Sequence, residues 1–148
     1  MRYLGAFLLA TAWGLLTTTL AFEAPSDLLR PRVPQQALAM AQSWQNPLPN
    51  TPEVVEQGRR LYYGKGFCVA CHGRDGRGMT DVDPTLVTGT LPTDFTQAAW
   101  QAARTDGELL WILQHGSAGT AMAAFIPTVL TEEEAWQVMR FVRALGRP

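Results

Sequence analysis

The chain has 148 residues, which is enough for one domain with short appendages. Its hydrophobic fraction of 47% is normal for a globular protein and excludes a wholly disordered one. The 12 basic and 13 acidic residues give a formal net charge of −1, so no basic excess indicates a nucleic-acid partner.

The first 21 residues have the composition of an export signal. Arg2 precedes a long apolar run, and the small residues Thr19 and Ala21 stand at suitable cleavage positions. About 20 mostly apolar residues are also enough to span a bilayer if the segment is retained. We therefore expect an exported protein in which residues 1–21 are either a cleaved signal peptide or an uncleaved anchor.

Residues 22–50 form a proline-rich extension that contains five prolines. Proline at this density prevents a continuous helix and favours extended chain. We expect either a linker, which includes a plain disordered spacer, or an arm that wraps the domain. A short turn of helix is predicted over Gln35–Trp44.

An all-α domain is predicted over residues 51–148, because no segment stands out as a strand. Its first helix begins at Thr51, which can cap the helix, with Pro52 at the first helical position. Gly58 interrupts the apolar stripe of this helix, although glycine inside a helix is unfavourable by about 1 kcal/mol relative to alanine. We interpret Gly58 as the point where another helix comes close.

Two further helices are marked by capping boxes. Thr105 with Glu108 opens the first, and Thr131 with Glu134 opens the second. The second is the last helix of the chain, and its apolar stripe makes it the expected partner of the first helix. A shorter helix is predicted over Thr96–Ala103.

The loops predicted over residues 73–94 and 116–130 are long for a compact domain. A few short helices joined by such loops make a poor core on their own. A large buried ligand would supply the missing packing.

Cys68 and Cys71 are the only cysteines of the chain, and they stand in the sequence GFCVACHG. A disulfide between them would close a very small loop and stabilise the fold little. A thioredoxin-like redox pair would require a βαβ pattern, which the sequence does not show. A zinc site would require His72 and His115, and adjacent Cys71 and His72 do not easily turn toward one tetrahedral ion.

The spacing C-x-x-C-H is the attachment signal of c-type haem. Two thiols three residues apart can form thioethers with the two vinyl groups of the porphyrin, and the adjacent imidazole can bind the iron as its proximal ligand. The sequence therefore predicts one covalently bound haem c, attached through Cys68 and Cys71, with His72 on the iron.

The iron then needs a sixth ligand, for which the candidates are Met79, His115, Met122 and Met139. Met79 follows His72 closely, Met139 lies on the apolar stripe of the last helix, and His115 suits a helix C-terminus as a cap. We favour Met122, which lies in the small-residue loop GSAGTAMAAFIP and gives the electron-transfer type of haem iron. His115 and an open position are the alternatives.

These features together resemble the class I mono-haem cytochromes c. The resemblance covers residues 51–145, with Gly58 and Tyr62 at the glycine–aromatic pair of the first helix in GRRLYYGKGFCVACHG. The segment GTAMAAF is similar to the family's distal-methionine loop, which supports Met122, and VMRFVRAL is similar to its last helix, with Phe141 at the aromatic position. The resemblance implies a small helical domain wrapped around one haem, with the terminal helices crossing at the glycine.

The resemblance also implies residues around the haem. Pro84 matches the family's proline whose carbonyl accepts a hydrogen bond from the proximal histidine. The segment DFTQAAWQAARTDGELLWILQHG is similar to bacterial periplasmic members, and in it Trp100, Arg104 and Trp111 are candidates for haem packing or for hydrogen bonds to the propionates. The alternatives are core tryptophans, a solvated arginine and an ordinary turn proline.

The function implied by the family is that of a periplasmic one-electron carrier and not of an enzyme. Its expected partners are redox proteins of a respiratory chain, such as an oxidase, a quinol-oxidising complex or a periplasmic dehydrogenase. One alternative is a peroxidase-like haem enzyme or gas sensor with His115 as its distal group. Another is an electron-relay subunit that the N-terminal segment tethers to a membrane complex.

Overall fold

The structure is a computed structural model that describes residues 29–79 and 90–147. Within these two ranges the chain forms helices and no β-strand, which confirms the predicted all-α fold. The helices are α1 (Gln35–Ser43), α2 (Pro52–Tyr63), α3 (Val69–His72), α4 (Ala98–Ala103), α5 (Asp106–His115) and α6 (Glu132–Leu145).

None of the helices in the described ranges is long and apolar enough to cross a membrane. Residues 1–21, where the sequence predicts an export signal or an anchor, lie outside these ranges.

The predicted helix caps are present. The Thr51 hydroxyl accepts a hydrogen bond from the backbone N–H of Val54 at 3.4 Å, and Pro52 is the first residue of α2. At the start of α5 and of α6, a threonine hydroxyl accepts a hydrogen bond from the backbone N–H of a glutamate three residues later. The carboxylate of that glutamate accepts a hydrogen bond from the backbone N–H of the threonine. These pairs are Thr105–Glu108 and Thr131–Glu134. Local sequence therefore sets where the three longest helices of the domain begin.

Helices α2 and α6 cross at Gly58. A Cβ atom on Gly58 would overlap the backbone carbonyl oxygen of Gln137 and would lie 3.1 Å from the Cβ atom of Phe141. Only glycine permits this approach, because any side chain would push the two backbones apart. One turn later, Tyr62 packs edge-on against Phe141 with ring centroids 5.1 Å apart. The structure thus confirms that Gly58 marks the closest contact of the terminal helices.

The hydrophobic core lies between α2, α5 and α6. Helix α6 buries six apolar side chains along one face, among them Met139, which is 1% exposed. Tyr62 of α2 is fully buried against this face. Core packing therefore accounts for Met139, as the position of this methionine on the apolar stripe predicts.

Residues 29–50, which we call the arm, lie against the domain. The predicted short helix is present as α1, and it packs on α5. A Cβ atom on Gly107 of α5 would overlap the carbonyl oxygen of Ala41 and would lie 2.8 Å from that of Trp44. Ala41 is fully buried in this contact. The arm is therefore in direct backbone contact with the domain.

Two arginines of the domain bind backbone carbonyls of the arm. Arg104 is 5% exposed, and its guanidinium donates to the carbonyl oxygens of Leu29, at 3.0 Å, and of Arg30. Arg140 of α6 donates from Nε to the carbonyl oxygen of Leu48 at 3.0 Å. Hydrogen bonds from charged donors contribute about 1.5–3 kcal/mol each. They hold the arm close to both of its ends.

The Gly58→Ala variant should be strongly destabilised, because its methyl group requires the α2 and α6 backbones to separate. Overpacking typically costs about 1–3 kcal/mol, and a loss at the upper end lowers Tm by roughly 12 °C or more in a domain of this size. Thermal unfolding followed by circular dichroism measures this change. Arg60→Ala, at an exposed position two residues later in α2, should leave Tm within about 2 °C. Equal melting of the two variants would contradict the close crossing.

Candidate haem-binding site

The Cys-x-x-Cys-His motif forms a single turn of helix at α3. The carbonyl oxygen of Cys68 accepts hydrogen bonds from the backbone N–H groups of Cys71, at 3.2 Å, and of His72, at 2.9 Å. Both thiols are free; Cys68 is half-buried and Cys71 is exposed. Two thiols and one imidazole therefore stand on one turn of backbone.

The surroundings of Cys68 do not suit a redox-active cysteine. Burial raises the pKa of the Cys68 thiol to about 11, so the thiol is protonated at neutral pH. Reactive and redox-sensing cysteines have lowered pKa values that favour the thiolate. The structure therefore gives no support to a thioredoxin-like pair.

The zinc alternative also lacks support. Across residues 29–79 and 90–147, no group of three or more His, Cys, Asp or Glu side chains could hold a metal ion. The residues proposed for zinc, Cys68, Cys71, His72 and His115, all belong to these ranges. His72 shares the turn of the two cysteines, whereas His115 lies at the end of α5 and does not complete a metal-binding group with them.

A backbone carbonyl holds the imidazole of His72. Nδ1 of His72 lies 3.2 Å from the carbonyl oxygen of Thr93. Because a carbonyl oxygen only accepts, Nδ1 carries the proton and Nε2 keeps its lone pair. Phe95 stacks on the imidazole with ring centroids 4.3 Å apart. Burial lowers the pKa of His72, although the Thr93 carbonyl opposes this shift, and the neutral imidazole that binds metals is favoured.

Tyr62 connects the core to the residue that follows α3. Its hydroxyl donates to the carbonyl oxygen of Gly73 at 2.8 Å. Burial raises the pKa of Tyr62 above its ordinary value, so the hydroxyl stays protonated and remains a donor. Gly73 has a φ of +75°, which glycine adopts at no steric cost. This hydrogen bond fixes the turn next to His72.

The turn after Gly73 packs against the segment that contains Thr93. The backbone N–H of Phe95 donates to the carbonyl oxygen of Gly76 at 2.7 Å, and that of Gly78 donates to the carbonyl oxygen of His72 at 2.9 Å. The bond between Gly78 and His72 closes the turn, and the bond between Phe95 and Gly76 attaches the segment of Thr93 to it. They place the Thr93 carbonyl beside the imidazole.

Met122 lies in the loop between α5 and α6. The carbonyl oxygen of Met122 accepts from the N–H of Ser117 at 2.9 Å, and its own N–H donates to the Thr120 hydroxyl at 3.1 Å. Gly116 begins the loop with a φ of +77°, and a Cβ atom there would lie 2.8 Å from the Met122 carbonyl oxygen. Met122 is half-buried and packs against the core, as Cys68 does. Hydrogen bonds therefore hold both the N–H and the C=O of Met122.

The two tryptophans that the sequence selects have different surroundings. Trp100 is buried and packs on Phe95, with ring centroids 5.1 Å apart. Phe95 in turn stacks on His72, so Trp100 reaches the imidazole only through Phe95. Trp111 stacks on His115 with centroids 4.2 Å apart, and Nδ1 of His115 lies 2.9 Å from the Trp111 carbonyl oxygen. The Nδ1 atom of His115 is thus bound at the end of its own helix, which agrees with the predicted capping role.

Arg104 contacts the arm. It is buried, and its guanidinium donates to the carbonyl oxygens of Leu29 and Arg30. These contacts exclude a solvated side chain, and the propionate role of Arg104 stays a prediction.

Pro84 falls in residues 80–89, outside the described residues. In the described part of the chain, the carbonyl that contacts His72 is that of Thr93. Neither Thr93 nor Phe95 was predicted from the sequence. A backbone carbonyl has no residue signature, and the one available signal was Pro92, a second proline in the same loop next to Thr93.

Two surface cavities of about 410 and 400 Å³ lie where the arm meets the domain. Both are lined by Trp44 and Gln45, and neither is lined by residues 66–73 or 116–125. They are therefore separate from the site at α3.

Residues 55–146 match the family model for cytochrome c. The match covers more than half of the chain, and the chain belongs to the cytochrome c family. Members of this family bind haem c covalently and transfer electrons through it. The free thiols on α3 and the available Nε2 of His72 fit that group.

Two solved structures are similar to this chain. One is a chain of the Kuenenia stuttgartiensis reducing HAO-like protein complex, with 26% identity and a TM-score of 0.56. The similarity covers 68% of this chain and 47% of that one, so this chain spans about half of its length. The other is the KustC0563 c-type cytochrome, with 30% identity and a TM-score of 0.48 over 61% of this chain and 98% of that one. The comparison with curated proteins gave no match.

Tyr62→Phe should lower the stability of the protein, because the half-buried carbonyl oxygen of Gly73 loses its donor. The expected loss is about 1 kcal/mol, which corresponds to a fall in Tm of roughly 4–8 °C. Tyr63→Phe is the matched control, since the Tyr63 hydroxyl also donates to a backbone carbonyl, that of Arg74, but at the surface. The control should lose less than half as much. If Tyr63→Phe proved the more damaging of the two, Tyr62 would not be the anchor of the turn.

Proposed function

We propose that the chain is an exported class I mono-haem cytochrome c that carries single electrons between redox proteins. Cys68 and Cys71 would hold the haem as thioethers, and His72 and Met122 would bind its iron. The geometry of His72 is the observation that carries this proposal. Its Nδ1 is bound by the Thr93 carbonyl, which leaves Nε2 with its lone pair, and the same helical turn carries two free thiols.

The bound haem supplies an iron that alternates between its ferric and ferrous states. The chain sets the surroundings of this iron. The Thr93 carbonyl orients His72 and raises the basicity of Nε2, which strengthens the ligand. Phe95 covers one face of the imidazole, and Trp100 backs Phe95, so water is kept from this side of the ligand.

Met122 is proposed as the distal ligand because hydrogen bonds within its loop hold the backbone of this residue in place. The carbonyl oxygen of Met122 accepts a hydrogen bond from Ser117, and its N–H donates one to Thr120, so both of its backbone groups are fixed. A thioether ligand together with the imidazole would raise the reduction potential of the iron and would leave it no position for a substrate. The rival ligand His115 is exposed and uses its Nδ1 within its own helix.

Export to the periplasm is proposed from the N-terminal sequence. A single arginine followed by an apolar run at residues 1–21 has the pattern of a secretory signal. Covalent attachment keeps a haem with a protein that leaves the cytoplasm. The proposed partners are redox proteins of a respiratory chain: an oxidase, a quinol-oxidising complex or a periplasmic dehydrogenase.

A second candidate function is that of a relay subunit held permanently in a larger redox complex. One similar chain, at 26% identity, is part of a complex that is called a reducing HAO-like protein complex. A relay differs from a carrier in its attachment and not in its electron chemistry. Native purification from the source cells separates the two functions: a carrier elutes alone, whereas a relay elutes with its complex.

Replacing Cys68 and Cys71 together by alanine should abolish the haem that otherwise remains with the chain after denaturing electrophoresis. The measurement is haem staining of the gel, together with the mass of the exported wild-type protein. That mass should show one added haem, and it also reports whether residues 1–21 are removed. A double variant that still carried covalent haem would refute the attachment site.

Met122→Ala should open one coordination position on the iron and lower the reduction potential. We expect cyanide or carbon monoxide to bind to this variant at concentrations that leave the wild-type spectrum unchanged. Met79→Ala is the control, because Met79 follows His72 too closely in the chain to reach the opposite side of the porphyrin. This variant should keep the wild-type spectrum. An unchanged spectrum in Met122→Ala would transfer the ligand role to His115.

A further inference from the structure

A surface cavity of about 410 Å³ lies where the arm meets the domain, and the proposed electron transfer does not use it. Its walls come from three parts of the chain that are distant in sequence. They include Trp44 and Gln45 of the arm, Leu110 and Gln114 of α5, and Glu132 and Trp136 of α6. Ligand pockets usually have volumes of about 300–1,000 Å³ and apolar or aromatic walls with a few polar groups. This cavity has both properties.

The arm side of the cavity is fixed by contacts to the domain. A Cβ atom on Gly107 would lie 2.9 Å from the Cβ atom of Trp44, so this part of the arm touches the backbone of α5. The side-chain amide of Asn46 donates to the carbonyl oxygen of Trp136 at 3.0 Å and accepts from the N–H of Leu48 at 3.0 Å. The two tryptophans are therefore held relative to each other before a ligand enters, which lowers the entropic cost of binding.

Among the described residues that line the cavity, Glu132 is the one with a charged side chain. Its Oε1 accepts a hydrogen bond from Nε1 of Trp136 at 3.4 Å, so the carboxylate lies beside the indole. In the part of the chain that the structure describes, no basic side chain forms an ion pair with this carboxylate. Acidic residues suit the start of any helix, and Glu133 and Glu134 are there as well, but neither of them lines the cavity. The helix start therefore does not explain why an unpaired carboxylate stands next to an aromatic wall.

Two side-chain amides add neutral polar groups to the cavity. Gln45 and Gln114 line it, and neither amide hydrogen-bonds to another described residue. An amide side chain offers two donors and an acceptor. These two groups are available for a hydroxyl or carbonyl group of a ligand.

We propose that this cavity, the two-tryptophan cavity, binds a small organic cation of the quaternary ammonium class that carries a hydroxyl group. A cation over the face of a tryptophan is attracted by the ring, and the attraction is stronger where water is excluded. The Glu132 carboxylate adds an opposite charge, and Leu110 and the indoles cover the alkyl groups of the ligand. Residues 66–73 and 116–125 do not line the cavity, so this inference does not rest on the proposed haem function.

The first experiment compares choline with 3,3-dimethylbutanol, an uncharged carbon analogue of the same shape. Each compound is titrated into the isotope-labelled holoprotein, and the indole N–H signals are followed by NMR. Choline should bind at least about fivefold more tightly than the analogue. It should shift the signals of Trp44 and Trp136 and leave those of Trp100 and Trp111 unchanged. Equal affinities, shifts confined to other tryptophans, or no binding of choline at about 50 mM would overturn the proposal.

The second experiment removes the charge with Glu132→Gln, which keeps the shape of the side chain and an acceptor for the Trp136 indole. This variant should bind choline about fivefold or more weakly at low ionic strength and should bind the uncharged analogue as the wild type does. Glu133→Gln is the matched control, because it makes the same change at an exposed position one residue later that does not line the cavity. It should weaken choline binding less than about twofold. Equal weakening by both variants would show a general effect of surface charge and not a site.

Trp44→Leu tests the aromatic wall, because it removes the ring of the arm and keeps an apolar side chain. The variant should lose most of the preference for choline over the uncharged analogue. Hydrogen exchange of the α1 amides reports whether the arm stays on the domain. If the arm stays, an unchanged preference would contradict the role of the ring. If the arm is released, choline binding should be lost with it, and retained binding would place the site elsewhere.

A quaternary ammonium group occurs both in free solutes and in the head groups of lipids. Co-sedimentation of the holoprotein with phosphatidylcholine vesicles separates these sources. Vesicle binding that Glu132→Gln abolishes would assign the cavity to a lipid head group, whereas choline binding without vesicle binding would assign it to a free solute. Each variant is first checked for covalent haem. Loss of haem from the wild-type protein would contradict the proposed function, whereas normal haem without choline binding would contradict only the two-tryptophan cavity.

Discussion

The crossing of α2 over α6 at Gly58 is the contact on which the haem site depends. Because the Gln137 carbonyl occupies the space that a Cβ atom would need, the two backbones are in direct contact at this point and the position of α2 on α6 is closely fixed. Tyr62 is one turn further along α2 and reaches from the core to Gly73. The position of the helical turn that carries the two cysteines therefore follows from the packing of two helices outside the site.

His72 is held from the other direction. Thr93 lies 21 residues further along the chain, yet its carbonyl determines which nitrogen of the imidazole carries the proton. Phe95, two residues later, covers the ring, so a single short segment both orients the imidazole and shields it. The site is thus assembled from two parts: a turn held by the helix crossing, and a loop whose backbone supplies the hydrogen bond.

The features that the sequence predicted are those with local causes. Capping depends on residues three apart, and the crossing at Gly58 was visible because a glycine interrupts an apolar stripe. The features that it missed depend on backbone groups distant in sequence. Arg104 binds the carbonyl of Leu29, 75 residues away, and nothing in either residue type indicates that pairing. A buried arginine next to tryptophans looks the same in sequence whether it binds a carboxylate or a peptide carbonyl.

The arm and α2 share one support, helix α6. Arg140 binds the carbonyl oxygen of Leu48 in the arm, and Gln137 contacts Gly58 of α2. A change that displaced α6 would therefore disturb the arm and, through α2 and the hydroxyl of Tyr62, the turn next to His72. Two segments that are distant in sequence are in this way coupled through a single helix.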